Sequence, residues 1–265
     1  MIKKTTHLLF LPLLFLISCH SPNTKEPHTI KIEASSAPQA QILEQIKPEL
    51  KNEGIDLCII IVDDYNIPNR AVADKEADAN FFQHMPFLEE QIRQFHYPLC
   101  VLAKTHIEPM GIYSRKETSL QDLADGSTIA IPNDPTNEAR ALLLLQNAGI
   151  ISLKSKGIAH TTILDIDQNP HHFVFKEIDA ALLPRTLDEV EAAVIPTNYA
   201  LQAGYSPMKD ALLIEGEDSA YVNVIVVRCD DMNNPDLLAL KKAMNSKQMR
   251  DYMLKTYDGA VVPAF

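Results

Sequence analysis

Two spacings of apolar residues alternate along this chain. Between Thr29 and Ser35, Ile30, Ile32 and Ala34 take every second place against polar neighbours, the period of a strand with one face buried. Between Pro38 and Gly54, Ile42, Ile46 and Leu50 recur every fourth residue, which predicts an amphipathic helix opened by Pro38 and stopped by Gly54. Cys58 to Val62 is a continuous apolar run, the pattern of a fully buried strand. A strand, a helix and a buried strand form a βαβ unit, so at least part of the sheet is expected to be parallel. The alternation then continues. It predicts helices over 67–75 and 85–95, a strand over 99–103, and a short strand in IEPMGIYS entered through Pro109 and Gly111. Strands follow over 129–131, 162–167, 172–178, 192–198, 211–215 and 222–228, with helices over 184–191, 235–245 and 247–257. That is more than one doubly wound sheet takes, and the linkers are short throughout, so the expectation is two α/β lobes joined by extended crossings.

The stretch IAIPNDPTNEARALLLLQNAG, 129–149, joins local structure to candidate chemistry. Ile129 to Ile131 reads as a buried strand, Asp134 as an N-cap, Pro135 as the first helical residue and Gly149 as the stop. Arg140 falls in the second turn, where the helix dipole mildly disfavours a cation, so an anion is expected beside it. Free N–H groups at the helix start together with the guanidinium would receive a carboxylate. The alternative is a surface arginine paired with a nearby acid.

The amino terminus sets the compartment. Lys3 and Lys4 precede an apolar segment, Leu8 to Ile17, that is too short to span a bilayer, and Leu16-Ile17-Ser18-Cys19 resembles a bacterial lipobox. Residues 1–18 are expected to be a lipoprotein signal peptide, with Cys19 acylated as the new N-terminus and 19–28 a flexible tether. The protein would then be anchored to a cell membrane, facing the periplasm or the exterior. The formal charge of −11 argues against nucleic acid as a partner. Cys58, Cys100 and Cys229 each sit in apolar runs and read as buried thiols, at least one of them necessarily free.

Several chemistries lack their sequence patterns. The eight glycines never fall as GxG, and neither HExxH nor GxSxG occurs, so no cofactor and no catalytic constellation is expected. Asp63 and Asp64 are adjacent and read as a solvated loop. A zinc site from His84, His106 and Glu108 is a minor alternative, and no metal is assigned. DANFFQHMPF, 78–87, gathers Phe81, Phe82, His84 and Phe87 in what reads as a loop, and Tyr65 follows the CIIIV strand, where a parallel sheet presents its ligand-facing loops. Rings mixed with a few polar anchors suit a pocket for a small amphiphile.

The runs QILEQIKPELKNEGIDL, DANFFQHMPFLEE, HIEPMGIYS, the 128–146 stretch, YVNVIVVR and the closing GAVVPAF resemble the NlpA/MetQ family of methionine-binding lipoproteins of bacterial ABC importers, from about Thr29 to Phe265. The resemblance implies a type II-like periplasmic binding protein of two α/β lobes with ligand in the cleft between them. One lobe would be 29–107 plus 220–265 and the other 108–219, with crossings near Glu108 and Ser219. It further implies that Tyr65, Phe82, His84 and Phe87 wall the ligand side chain, that Arg140 grips its α-carboxylate, and that Asn198 and Asn223 bond its head group. Phe87 stands where the family commonly has Tyr, and PTNY where it commonly has NGNY. The implied partners are L-methionine or a close analogue, an ABC permease with its ATPase subunit, and the membrane through Cys19. D-methionine, a methionine-containing dipeptide or another apolar amino acid are alternative ligands, and a surface-exposed interaction lipoprotein is an alternative function.

Overall fold

A computed structural model describes residues 28–154, 160–216 and 220–265. The signal peptide, Cys19, nearly all of the tether and the crossing near Ser219 lie outside these residues. The elements in chain order are β1 (His28–Ala34), α1 (Gln41–Asn52), β2 (Ile55–Ile61), α2 (Pro68–Ala73), β3 (Ala79–His84), α3 (Met85–Phe95), β4 (Leu99–Ile107) and β5 (Gly111–Tyr113). Then come β6 (Thr128–Pro132), α4 (Pro135–Asn147), β7 (Ser152–Leu153), β8 (Ile166–Gln168), β9 (Val174–Ile178), α5 (Leu183–Thr186), β10 (Ala192–Ile195) and α6 (Thr197–Gln202). The chain closes with α7 (Pro207–Asp210), β11 (Leu213–Ile214), β12 (Val222–Arg228), α8 (Pro235–Met244), α9 (Lys247–Tyr257) and β13 (Val262–Pro263). Among the described residues no helix is long and apolar enough to cross a membrane.

These elements form two main sheets. The first has the order β13-β4-β12-β3-β1-β2 and the second β11-β5-β10-β6-β9. β1 lies parallel to β2 and β3, as the βαβ reading requires, while the returning β12 runs antiparallel between β3 and β4. Helices α1, α8 and α9 bury Ile42, Leu43, Ile46, Leu240, Met244 and Met253 on one face of the first sheet. α2 and the start of α3 cover the other face through Val72 and Leu88, against Val224 and Val226. In the second sheet α4 packs Leu142 and Leu145 on Ile129, Ile131 and Val194, and Leu183, Leu187 and Tyr199 close the opposite face. Two sandwiched sheets with separate cores are what the surplus of elements predicted.

Several local readings change. DANFFQHMPF is not a loop: residues 79–84 are β3, every one of them buried, and the chain turns directly into α3. A central strand covered on both faces shows no alternation, and its polar residues satisfy one another. Asn69 and Gln83 exchange hydrogen bonds of 2.8 and 2.6 Å, and Asn80 donates to Asn69 at 2.9 Å. The strand expected over 192–198 stops at Ile195, because Pro196 cannot donate to a ladder, and Asn198 sits on α6. Pro38 lies in an irregular turn in which Ala37 is extended, so α1 starts at Gln41. The helix expected over 184–191 is the single turn α5, and the strand over 162–167 is mostly a turn preceding β8.

The cysteine reading is also corrected. Cys100 and Cys229 form a disulfide with a Cα–Cα distance of 4.9 Å. Their 129-residue separation hid what the antiparallel pairing of β4 and β12 brings together, since Val227 faces Cys100 and the chain passes straight on to Cys229. Cys58 is a free thiol and is exposed, because β2 is an edge strand and Cys58 points away from the helix-covered face.

Candidate ligand-binding site

The ends of strands and the first turns of helices from both sheets converge on one cavity with an empty volume of about 350 Å³. All seven ligand-site candidates, Tyr65, Phe82, His84, Phe87, Arg140, Asn198 and Asn223, line it. Sequence reasoning had not placed Asn137, Thr197 or Gln83 there, and it had considered Glu108 only as a metal ligand.

From the first sheet, β3 delivers Phe82, Gln83 and His84 in succession. His84 ends the strand and caps α3, its Nδ1 accepting the Phe87 N–H at 3.1 Å. The proton therefore sits on Nε2, which donates to Asn137 Oδ1 across the cleft at 3.1 Å. Burial, reinforced by the Arg140 charge, lowers the His84 pKa to about 3, so the ring is neutral at physiological pH. Tyr65, in the loop after β2, donates its hydroxyl to Asn198 Oδ1 at 2.7 Å. Its ring centre lies 5.7 Å from those of Phe82 and Phe87, and these two are 5.8 Å apart, so the three rings form a continuous apolar wall. Burial holds the Tyr65 phenol well above its usual pKa, so it stays a neutral donor.

From the second sheet, α4 contributes Asn137 and Arg140. The helix forms where the sequence placed it, but its start is not a free anion receptor. Asp134 caps it, accepting from the Asn137 N–H at 3.0 Å and from Asn137 Nδ2 at 3.1 and 3.0 Å. The expected clasp by backbone N–H groups is thus filled by the chain's own carboxylate. Arg140 is buried, so it is not a surface arginine, yet it does pair with an acid. Its Nε donates to both Glu215 oxygens at 3.2 Å, and its Nη2 reaches Glu215 Oε2 at 2.5 Å and the Glu108 carbonyl at 2.8 Å. The guanidinium also lies 4.2 Å from the centre of the Tyr221 ring. Among the described residues, only Nη1 is left without a hydrogen-bond partner.

The floor of the cavity is a buried polar chain. Glu108 Oε1 accepts from Gln39 Nε2 at 2.6 Å and from His106 Nε2 at 2.7 Å. Gln39 Nε2 also lies 3.4 Å from Asn223 Oδ1, and Thr105 bonds the Asn223 carbonyl at 2.9 Å, fixing that asparagine on β12. Asn198 spends its oxygen on Tyr65, while its Nδ2 is buried and has no partner among the described residues. An orphaned donor on a cavity wall is what a ligand acceptor would satisfy. The zinc alternative loses its geometry here, since both nitrogens of His84 are bonded elsewhere and His106 is turned onto Glu108. Among the described residues, no three His, Cys, Asp or Glu side chains are placed to hold a metal.

The profile of the NlpA lipoproteins matches residues 30–265, nearly everything after the amino-terminal segment. The chain belongs to the NlpA lipoprotein family. It is 38% identical over 268 residues to the methionine-binding lipoprotein MetQ of Bacillus subtilis, covering 96% of this chain and 98% of that protein. It is 37% identical over 252 residues to the D-methionine-binding lipoprotein MetQ of Escherichia coli, covering 94% and 93%. Among solved structures, a nutrient-binding protein of Burkholderia cenocepacia bound to methionine superposes with a TM-score of 0.86 at 42% identity, covering 89% of this chain and all of that one. The NlpA fold seen here is therefore the two-lobed α/β fold of substrate-binding proteins, as the resemblance implied.

Proposed function

We propose that this NlpA protein is a lipid-anchored substrate-binding protein that holds L-methionine, or a close analogue, between its lobes and delivers it to an ABC permease and its ATPase subunit. The observation that carries the reading is one cavity between the two sheets with three complementary parts. Among the described residues, Asn198 Nδ2 is a buried donor without a partner and the bonds of Arg140 go through Nε and Nη2, which leaves Nη1 suited, with Asn198 Nδ2, to an α-carboxylate. Glu108 supplies a negative acceptor for the ammonium, a better one than the two asparagine oxygens, of which that of Asn198 is already taken by Tyr65. Tyr65, Phe82 and Phe87 face the tail.

The magnitudes point to closure as part of affinity. Charged hydrogen bonds contribute about 1.5–3 kcal/mol each. Burying a thioether side chain adds ~1.5–3 kcal/mol, and sulfur–ring contacts add ~0.3–1.5 kcal/mol. Nanomolar binding needs about 12 kcal/mol, so desolvation of the head group by lobe closure has to supply a share. Contacts that close the cleft are present in the Tyr65–Asn198 and His84–Asn137 bonds and in Tyr199, which donates to the Asp63 carbonyl at 2.6 Å. His84 is neutral with both nitrogens engaged, so the site is built to hold and release. The names of the relatives support the ligand, and Cys19 would carry the anchor. Calorimetric titration of ligand-stripped protein with a panel of amino acids tests the reading. Heat with L-methionine and none with aspartate or lysine is expected; silence with L-methionine would reject it.

A further inference from the structure

Hydrogen-bond directions beneath the cavity fix the protonation of a buried ring to which the proposed function gives no part. Thr105 has one hydroxyl proton, and it goes to the Asn223 carbonyl at 2.9 Å, because a carbonyl can only accept. The same Thr105 oxygen lies 3.1 Å from His106 Nδ1, so at that contact the oxygen accepts and Nδ1 carries a proton. The other ring nitrogen, Nε2, lies 2.7 Å from Glu108 Oε1, which also accepts from Gln39 Nε2 at 2.6 Å. Two donors converging on one oxygen suit an ionised carboxylate. Both nitrogens of His106 then donate, which makes the ring an imidazolium paired with Glu108. Neither partner is open to solvent, His106 being 0% and Glu108 5% exposed.

The groups packed around the pair leave that proton in place. Phe81 on β3 sets its ring edge-on to His106, with centres 5.5 Å apart, and Pro263 on β13 faces the His106 backbone. Arg140 reaches Glu108 only through its carbonyl and has Glu215 as its own counter-ion. Tyr65 and Tyr257 are held neutral, by burial first. Losing the Nδ1 proton would turn the Thr105 hydroxyl away from the Asn223 carbonyl and undo the bond that seats that asparagine. The donors from Gln39 and His106 both sit on Oε1, so Oε2 is left for the cavity that Glu108 lines. A carboxylate buried without a cation is favoured as the neutral acid, and an acid is a poor acceptor for an ammonium. We propose that His106 is a charged positioning residue of the binding site: its imidazolium keeps Glu108 ionised in the empty cavity and aims Oε2 at the ammonium of the bound amino acid. This rests on the assignment of the ammonium to Glu108 in the methionine reading.

Nitrogen-15 NMR of purified full-length protein, labelled in its histidines and stripped of ligand, reads the charge without any ligand present. At about pH 7.5, roughly one unit above the ordinary histidine value, both His106 ring nitrogens should carry protons. Calorimetric titration with L-methionine from about pH 5.5 to 7.5, the window in which an ordinary histidine changes charge, reads the role. The wild type should bind with one affinity throughout. His106→Gln should bind on the order of tenfold weaker at the acid end and recover as pH rises, by up to about tenfold per unit, with up to one proton released to buffer on binding. A side chain that only filled space would lower affinity equally at every pH. A bare His106 nitrogen in the wild type, a wild-type affinity that follows a histidine titration, or a His106→Gln affinity that is flat with pH would overturn the inference while L-methionine binding stood. Should His106→Gln fail to fold, the wild-type spectrum and pH profile decide. A doubly protonated His106 in a protein that binds no L-methionine would reject the methionine reading and the positioning role together.

Discussion

Glu215→Gln probes the charge balance on which the site depends. Glu215 is the counter-ion of Arg140, and the two side chains are 18% and 4% exposed. The glutamine keeps the shape and one acceptor but leaves the guanidinium without a negative partner in the ligand-free protein. Removing one member of a buried pair costs about 3–5 kcal/mol. Partial exposure of Glu215 and the remaining bonds of Arg140 to the Glu108 carbonyl and the Tyr221 face reduce this to about 2–3 kcal/mol. For a chain of this size that is a fall in Tm of roughly 5–10 °C. The carboxylate of a bound amino acid would restore the missing negative charge, so the variant should gain more from ligand than the wild type does. Differential scanning calorimetry with and without saturating L-methionine reads both effects. A variant as stable as wild type without ligand, or one whose ligand-induced rise is no larger, would refute the argument that Glu215 neutralises the arginine of the site.

Three further outcomes follow from other parts of the molecule. His84 has a folded pKa of about 3 against an ordinary 6.5, so between those values the unfolded chain binds the extra proton and stability is lost as pH falls; His84→Asn, which can still cap α3, should flatten chemical-denaturation stability against pH by close to one proton in that window. Glu138 has the opposite sign. Burial first, then Glu177 and Asp134, push its pKa up to about 7, so stability declines as pH rises from 4.5 to 7, and Glu138→Gln should raise Tm at pH 8 but not at pH 4.5. The Cys100–Cys229 bond closes a long stretch of chain, and Cys100→Ser with Cys229→Ser should cost about 4–5 kcal/mol in denaturant unfolding. A thiol reductant should then shift the wild type and leave the variant unmoved.

Patterns that need only local information were readable in the sequence. β1, α1, β12, α8, α9 and the strand–turn–helix of β6 and α4 lie within a few residues of where periodicity and capping residues put them. β3 was misread because a strand buried on both faces carries no alternation and because Asn80 and Gln83 look like loop residues until Asn69 is seen to satisfy them. The disulfide and the Arg140–Glu215 pair join residues far apart in the chain, and no spacing rule reaches that distance. The same holds for Glu108. HIEP was legible as the exit from a strand, but the role of its carboxylate depends on Gln39 and His106 arriving beside it. Asp134 shows the converse: it was read correctly as the helix cap, and that role is what closes the helix start to an external anion.

What leaves the cavity on denaturation tests the central claim most directly. Protein purified from its native membrane without added amino acids, unfolded and analysed by mass spectrometry of the released small molecules, should yield methionine or a methionine derivative in near-stoichiometric amount. A different compound lacking an α-amino acid head group, recovered at that stoichiometry, would contradict the account.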